Sequence, residues 1–140
     1  MKIAIINGPN LNLLGKREPD VYGHQTFEDY YRSLQSQFPE IQFSYFQSNV
    51  EGELINALQQ FGFNYDGIVL NPGGYTHTSV AIGDAIAAIT TPVIEVHISN
   101  VHAREDFRKI SHVSAKSVGS IIGLGLKGYE LAIRFFLVLQ

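Results

Sequence analysis

Runs of apolar residues alternate with polar, breaker-rich stretches along the chain, and the period of the apolar positions changes from block to block. Residues 3–6 (I-A-I-I) are an unbroken apolar run, which predicts a first strand over 2–7 that Gly8-Pro9 ends abruptly. A helix is predicted over 27–38, with Thr26 and Asp29 at capping-box spacing. Ile41, Phe43 and Tyr45 alternate with more polar neighbours, so 41–47 reads as a half-buried strand at a sheet edge. A second helix follows over 51–60, capped by Ser48 or Asn49, with Leu54, Ile55 and Leu58 on one face. The run 67–70 is apolar on both faces, as a central parallel strand must be. A third helix over 79–89 stops before Pro92, and 93–96 reads as a fourth strand. A helical turn near 104–108, a fifth strand over 120–122 and a last helix over 126–139 complete the pattern.

Five strands alternating with helices predict an α/β fold: a doubly wound, flavodoxin-like three-layer sandwich. Its five-stranded parallel sheet has the order 2-1-3-4-5 with helices on both faces, and the 140 residues form a single domain. One connection stands out. Between the first strand and the helix at 27 lie roughly 18 residues, where α/β units usually need about 2–6. This stretch has too many leucines and ring side chains for a solvated linker, and it reads as a loop that folds over a ligand.

In such sheets ligands bind beyond the carboxyl ends of the strands. The unusual polar residues gather there. Asn10 and Asn12 follow the first strand, Asn71 to His77 (N-P-G-G-Y-T-H) follow the third, and His97, Ile98, Ser99 and Asn100 follow the fourth. An asparagine after a strand is by itself often a turn residue, and a lone histidine is often structural. Three loops converging on one rim favour a site. Arg104 and Lys109 read most simply as solvated charges on a helical turn.

Composition removes several classes of function. A net charge of −3 lacks the basic footprint of a nucleic-acid binder, so no nucleic-acid partner is expected. No apolar run reaches the ~18 residues of a membrane span, and the first residues read as a strand, not a signal peptide. The absence of cysteine rules out thiolate chemistry and Cys-ligated metal, and fits a cytoplasmic location. The segment P-N-L-N-L-L after the first strand is a poor phosphate nest, which argues against a flavin phosphate site. Asn7 and Asn71 stand where a phosphoacceptor domain would need carboxylates. The G-x-G-x-x-G at 123–128 has no later strand or acidic partner, and reads as a tight turn with close helix packing. The five histidines contain no H-x3-H pair, so no metal is expected.

Four motifs then point to a family. N-G-P-N-L-N-L-L-G with R-E-P-x-x-Y-G, N-P-G-G-Y-T-H-T-S, E-V-H-I-S-N and R-E-D-F-R together strongly resemble type II 3-dehydroquinate dehydratase, along essentially the whole chain. The resemblance implies a flavodoxin-like enzyme without cofactor that dehydrates 3-dehydroquinate to 3-dehydroshikimate in aromatic amino acid synthesis. It also implies a homo-oligomer, a dodecamer of four trimers. By the same resemblance Tyr22 is the base at C2 of the substrate and Arg17 keeps that phenol reactive. Asn10 positions a water near the enolate, His97 protonates the departing C1 hydroxyl, and Glu95 orients His97. Asn71, His77, Ile98, Ser99 and Arg108 match substrate-holding positions, and Asp84 matches an acid that reaches a neighbouring subunit's site. The chain departs from the family at Val50, where His is frequent, and at Ile110-Ser111-His112, where H-S-Y is usual. Two other readings of the same rim stand beside this one: a binding or assembly module without turnover, and a flavin carrier.

Overall fold

The computed structural model describes residues 1–16, 19–22 and 24–139, with the side chains of residues 21 and 22 outside the described set. Five strands form one parallel sheet in the order β2-β1-β3-β4-β5: β1 (Lys2–Asn7), β2 (Gln42–Gln47), β3 (Gly67–Asn71), β4 (Val93–His97) and β5 (Gly119–Ile122). The predicted order is observed, and the half-buried β2 lies at an edge as its alternation requires.

Alternate residues of the central strands feed two cores. Ile3, Ile5, Val69, Ile94 and Val96 pack against α2 (Phe27–Gln37) and α5 (Lys127–Val138), through Phe27, Leu34, Tyr129, Ile133 and Phe136. Ala4, Ile6, Ile68, Leu70 and Val93 face α3 (Glu51–Phe61) and α4 (Val80–Ala88), through Leu54, Leu58, Ile82 and Ile86. Burial on both faces is why these strands read as continuous apolar runs. At 2.7 Å Gly67 has room for no more than hydrogen beside the Phe136 ring.

Helix starts differ from expectation in two places. Thr26 Oγ1 does accept the Asp29 N–H at 3.2 Å, but the Asp29 carboxylate turns to Arg32 instead of back to the cap. Only half of the capping box forms. Neither Ser48 nor Asn49 is the cap of α3: Val50 holds that position without a side-chain hydrogen bond. Ser48 Oγ instead accepts the Val50 N–H at 2.9 Å and donates to the Glu53 carboxylate, bridging the first turn from outside it. The G-x-G-x-x-G segment is a tight turn as expected, with Gly123 and Gly125 at φ 87° and 64°.

The long connection after β1 is not a single loop. A 3-10 turn (Leu11–Leu13) and the four-residue α1 (Pro19–Tyr22) lie within it. Leu11 and Leu14 are buried in the core against the α2/α5 side, so its first half is pinned to the domain.

Candidate active site

The carboxyl ends of β1, β3 and β4 surround a cavity of about 140 Å³. Asn10, Asn71, His77, His97, Ile98, Ser99 and Arg108 all line it, so seven residues singled out on three loops meet on one wall-to-wall surface. Arg104 lines it too, with Nη1 3.4 Å from Ser99 Oγ. Reading Arg104 as merely solvated was therefore incorrect, because the turn before it folds the arginine back over the strand ends. Lys109 pairs with Asp106 at 3.3 Å on the surface, as expected of a solvated charge. Asp84 lies on the exposed face of α4, away from this cavity in the single chain. Arg17 and the side chain of Tyr22 lie outside the described residues.

His97 and Glu95 sit two apart on β4 and so share the face toward α4. His97 Nε2 is 2.6 Å from Glu95 Oε2, and Glu95 is 0% exposed. The carboxylate also accepts hydrogen bonds from Thr76 Oγ1, Ser111 Oγ, Ser114 Oγ and Ser120 Oγ. Burial alone would raise the proton affinity of Glu95. The His97, Ser114 and Thr76 contacts outweigh it and hold the carboxyl down at about 2. Glu95 is thus an ionised acceptor placed against the imidazole. Nδ1 of His97 makes no hydrogen bond among the described residues.

His77 is held differently. Its Nδ1 lies 2.7 Å from the Ile110 carbonyl oxygen, which can only accept, so Nδ1 carries the hydrogen and Nε2 a lone pair. Desolvation leads the causes that lower its pKa below 6.5, which favours the neutral ring at pH 7. The two imidazoles stack at 6.4 Å between centroids. Arg108 donates from Nε to Glu105 Oε2 at 2.8 Å, and its guanidinium lies 4.9 Å from the centre of the Phe107 ring. An anionic ligand can engage the remaining guanidinium donors.

Asn10 adopts φ 71°, the one left-handed non-glycine residue among those described. Such strain persists where surroundings over-determine it. Here the Asn10 N–H donates to Asn49 Oδ1 at 3.0 Å, while the Asn49 carbonyl oxygen accepts the Tyr75 hydroxyl at 2.8 Å. Asn71 is buried: its Nδ2 donates to Tyr129 Oη at 2.9 Å and its Oδ1 accepts the Gly73 N–H at 3.1 Å. Sequence reasoning missed Asn49, Ser111, Ser114 and Ser120 as parts of this site. Ser111 falls in the stretch that departs from the family pattern, yet its hydroxyl reaches Glu95 and the preceding Ile110 carbonyl fixes His77.

A parallel α/β domain with an imidazole–carboxylate pair and two arginines around a small polar cavity is of the class that performs acid–base chemistry on a small anionic substrate. Residues 1–137 match the family described as Dehydroquinase class II. The chain is 52% identical to a 3-dehydroquinate dehydratase of Fusobacterium nucleatum, over 98% of this chain and 97% of that one. It is 56% identical to the 3-dehydroquinate dehydratase of Bacillus licheniformis, covering 96% and 94%. The crystal structure of a type II dehydroquinase from Butyrivibrio crossotus superposes with a TM-score of 0.94 at 48% identity, covering 98% of this chain and 97% of that one. The chain belongs to the class II dehydroquinase family.

Proposed function

We propose that this chain is a 3-dehydroquinate dehydratase, a hydro-lyase that removes water from 3-dehydroquinate to give 3-dehydroshikimate through an enolate. The observation that carries the reading is the His97–Glu95 pair on the wall of a polar cavity in a chain of this family. Elimination beta to a ketone needs a base at the alpha carbon, a place for enolate charge, and an acid for the leaving hydroxyl. His97, held through Nε2 by the Glu95 carboxylate, gives its proton to the C1 hydroxyl as the C1–O bond breaks. Asn10 holds a water against the enolate oxygen. Tyr22 takes the C2 proton. A free phenol has a pKa of ~10, and a guanidinium within ~4–6 Å lowers such a value by ~1–3 units, which is the role of Arg17. Asn71, His77, Ile98, Ser99 and Arg108 hold the substrate, with Arg108 suited to its carboxylate.

Asp84, exposed on α4, is the residue that reaches the site of an adjoining subunit. Twelve subunits assemble as four trimers, and the enzyme works in the cytoplasm. No helix among the described residues is long and apolar enough to cross a membrane.

The test is direct. Adding 3-dehydroquinate to the purified protein produces the ultraviolet absorbance of the conjugated enone, and Tyr22→Phe binds substrate without producing it. A silent wild-type protein would favour a binding module. A solution mass below that of a trimer would remove the role of Asp84 across subunits.

A further inference from the structure

Glu95 is a buried charge with an unusual set of partners. Its only ionisable hydrogen-bond partner among the described residues is His97, and the rest are neutral hydroxyls from three separate segments. The two oxygens are divided between them. Oε2 receives His97 and Thr76, whereas Ser114 and Ser120 reach Oε1 alone, Ser120 at 3.1 Å. Ser111 lies between, 3.2 Å from Oε2 and 3.4 Å from Oε1. The last torsion of a glutamate is broad and nearly two-fold, so an acceptor held at one oxygen can swing.

We propose that Ser114 and Ser120 are positioning residues for His97: by holding the far oxygen of Glu95 they lock the carboxylate plane that aims the imidazole into the cavity. The proposal rests on His97 being the acid of the reaction. Neutral donors suit this task because they stabilise the carboxylate without adding a fixed cation that would compete for it. Hydroxyls from the 3-10 turn (Ser114–Lys116) and from β5 thereby connect the sheet edge to the reacting end of β4. A second cavity, of about 90 Å³, adjoins this collar. The titratable and charged side chains facing the pair around it are His77, His102, Arg108 and Lys109.

The experiment compares wild type, Ser114→Ala/Ser120→Ala, Ser114→Thr/Ser120→Thr and His97→Ala. Ser120 is exposed and Ser114 half-buried, so the alanine pair removes donors without opening the core. The expected result is a kcat about tenfold lower with KM within about twofold, since misaiming a reacting group is felt in turnover. The acid limb of the kcat profile, where Glu95 takes up a proton, moves to higher pH because hydroxyl donors that hold its pKa down are gone; the nitrogen NMR signals of His97 shift, and the threonine pair restores all three. A lower Tm with an unmoved pH profile and unmoved His97 signals, beside an inactive His97→Ala, overturns the collar and leaves the role of His97 standing. A fully active His97→Ala overturns the reading beneath it. If the alanine pair does not fold, Ser120→Ala alone decides: the same signals shift, or the proposal fails.

Discussion

Two buried polar clusters lie under the same cavity, and they are built on opposite principles. Beneath β4 the cluster is ionised, with Glu95 held down at about 2 and tied to His97. Beneath β1 and β3 it is neutral. Tyr129 donates to Asn7 Oδ1 at 2.7 Å and accepts from Asn71 Nδ2 at 2.9 Å, and burial drives its phenol pKa far upward. The neutral cluster terminates on main chain, through Asn71 Oδ1 and the Gly73 N–H. The ionised one terminates on an imidazole. A neutral network satisfies buried groups and fixes the shape of a loop, whereas a buried carboxylate backed by neutral hydroxyls keeps a single ionisable partner. The first should matter for stability and the second for turnover.

His97→Ala should break the comparison most visibly, with kcat falling by about 10²–10⁴ and KM little changed in steady-state assays. Loss of hydroxide should slow more than deuterium exchange at C2, and equal slowing of the two would remove the separate acid. Glu95→Gln should lower kcat by about 10² through a misoriented ring. It should also change acid stability. The folded Glu95 titrates near 2, against 4.5 in the unfolded chain, so its contribution is complete above pH 4.5 and fades as the pH falls toward 2. In thermal melts across that window wild type should lose stability more steeply than Glu95→Gln; parallel curves would contradict the ionised assignment. Tyr129→Phe should cost about 1–3 kcal/mol of unfolding free energy, measured with denaturant, and leave kcat within about threefold. A collapse of kcat at unchanged stability would show that the two clusters are not separate. Arg32→Ala, which removes an exposed pair with Asp29, should change stability by no more than about 1 kcal/mol.

The layout of the sheet was legible because β1 and β3, buried on both faces, leave uninterrupted apolar runs and β4 a run broken only by Glu95, while the half-buried edge strand β2 shows Ile41, Phe43 and Tyr45 between more polar neighbours. The site was legible where polar residues follow the strand ends, as His97 does after the fourth apolar run, whereas Glu95 inside V-I-E-V-H came only from the family resemblance. The cap of α3 was not, because Ser48 acts from two residues before Val50 and satisfies the same turn. Nor was the burial of Leu11 and Leu14, whose partners on α2 and α5 are distant in sequence. The hydroxyls around Glu95 were invisible for the same reason. Thr76, Ser114 and Ser120 are 19 to 25 positions away, and serine in a turn carries no signal of what it touches.

Gly8 bears on how the cavity responds to force. Its N–H donates to the Asn71 carbonyl oxygen at 2.7 Å, and a methyl group placed on it would stand 2.6 Å from the carbonyl oxygen of Pro72. The turn leaving the first strand and the turn leaving the third are therefore in direct backbone contact, with no side chain between them to act as a cushion. Neither turn can shift toward the other without a backbone clash, which ties the position of the Asn10 wall to that of the Asn71 floor. The spacing of these two turns depends on the side-chain carbon that Gly8 lacks.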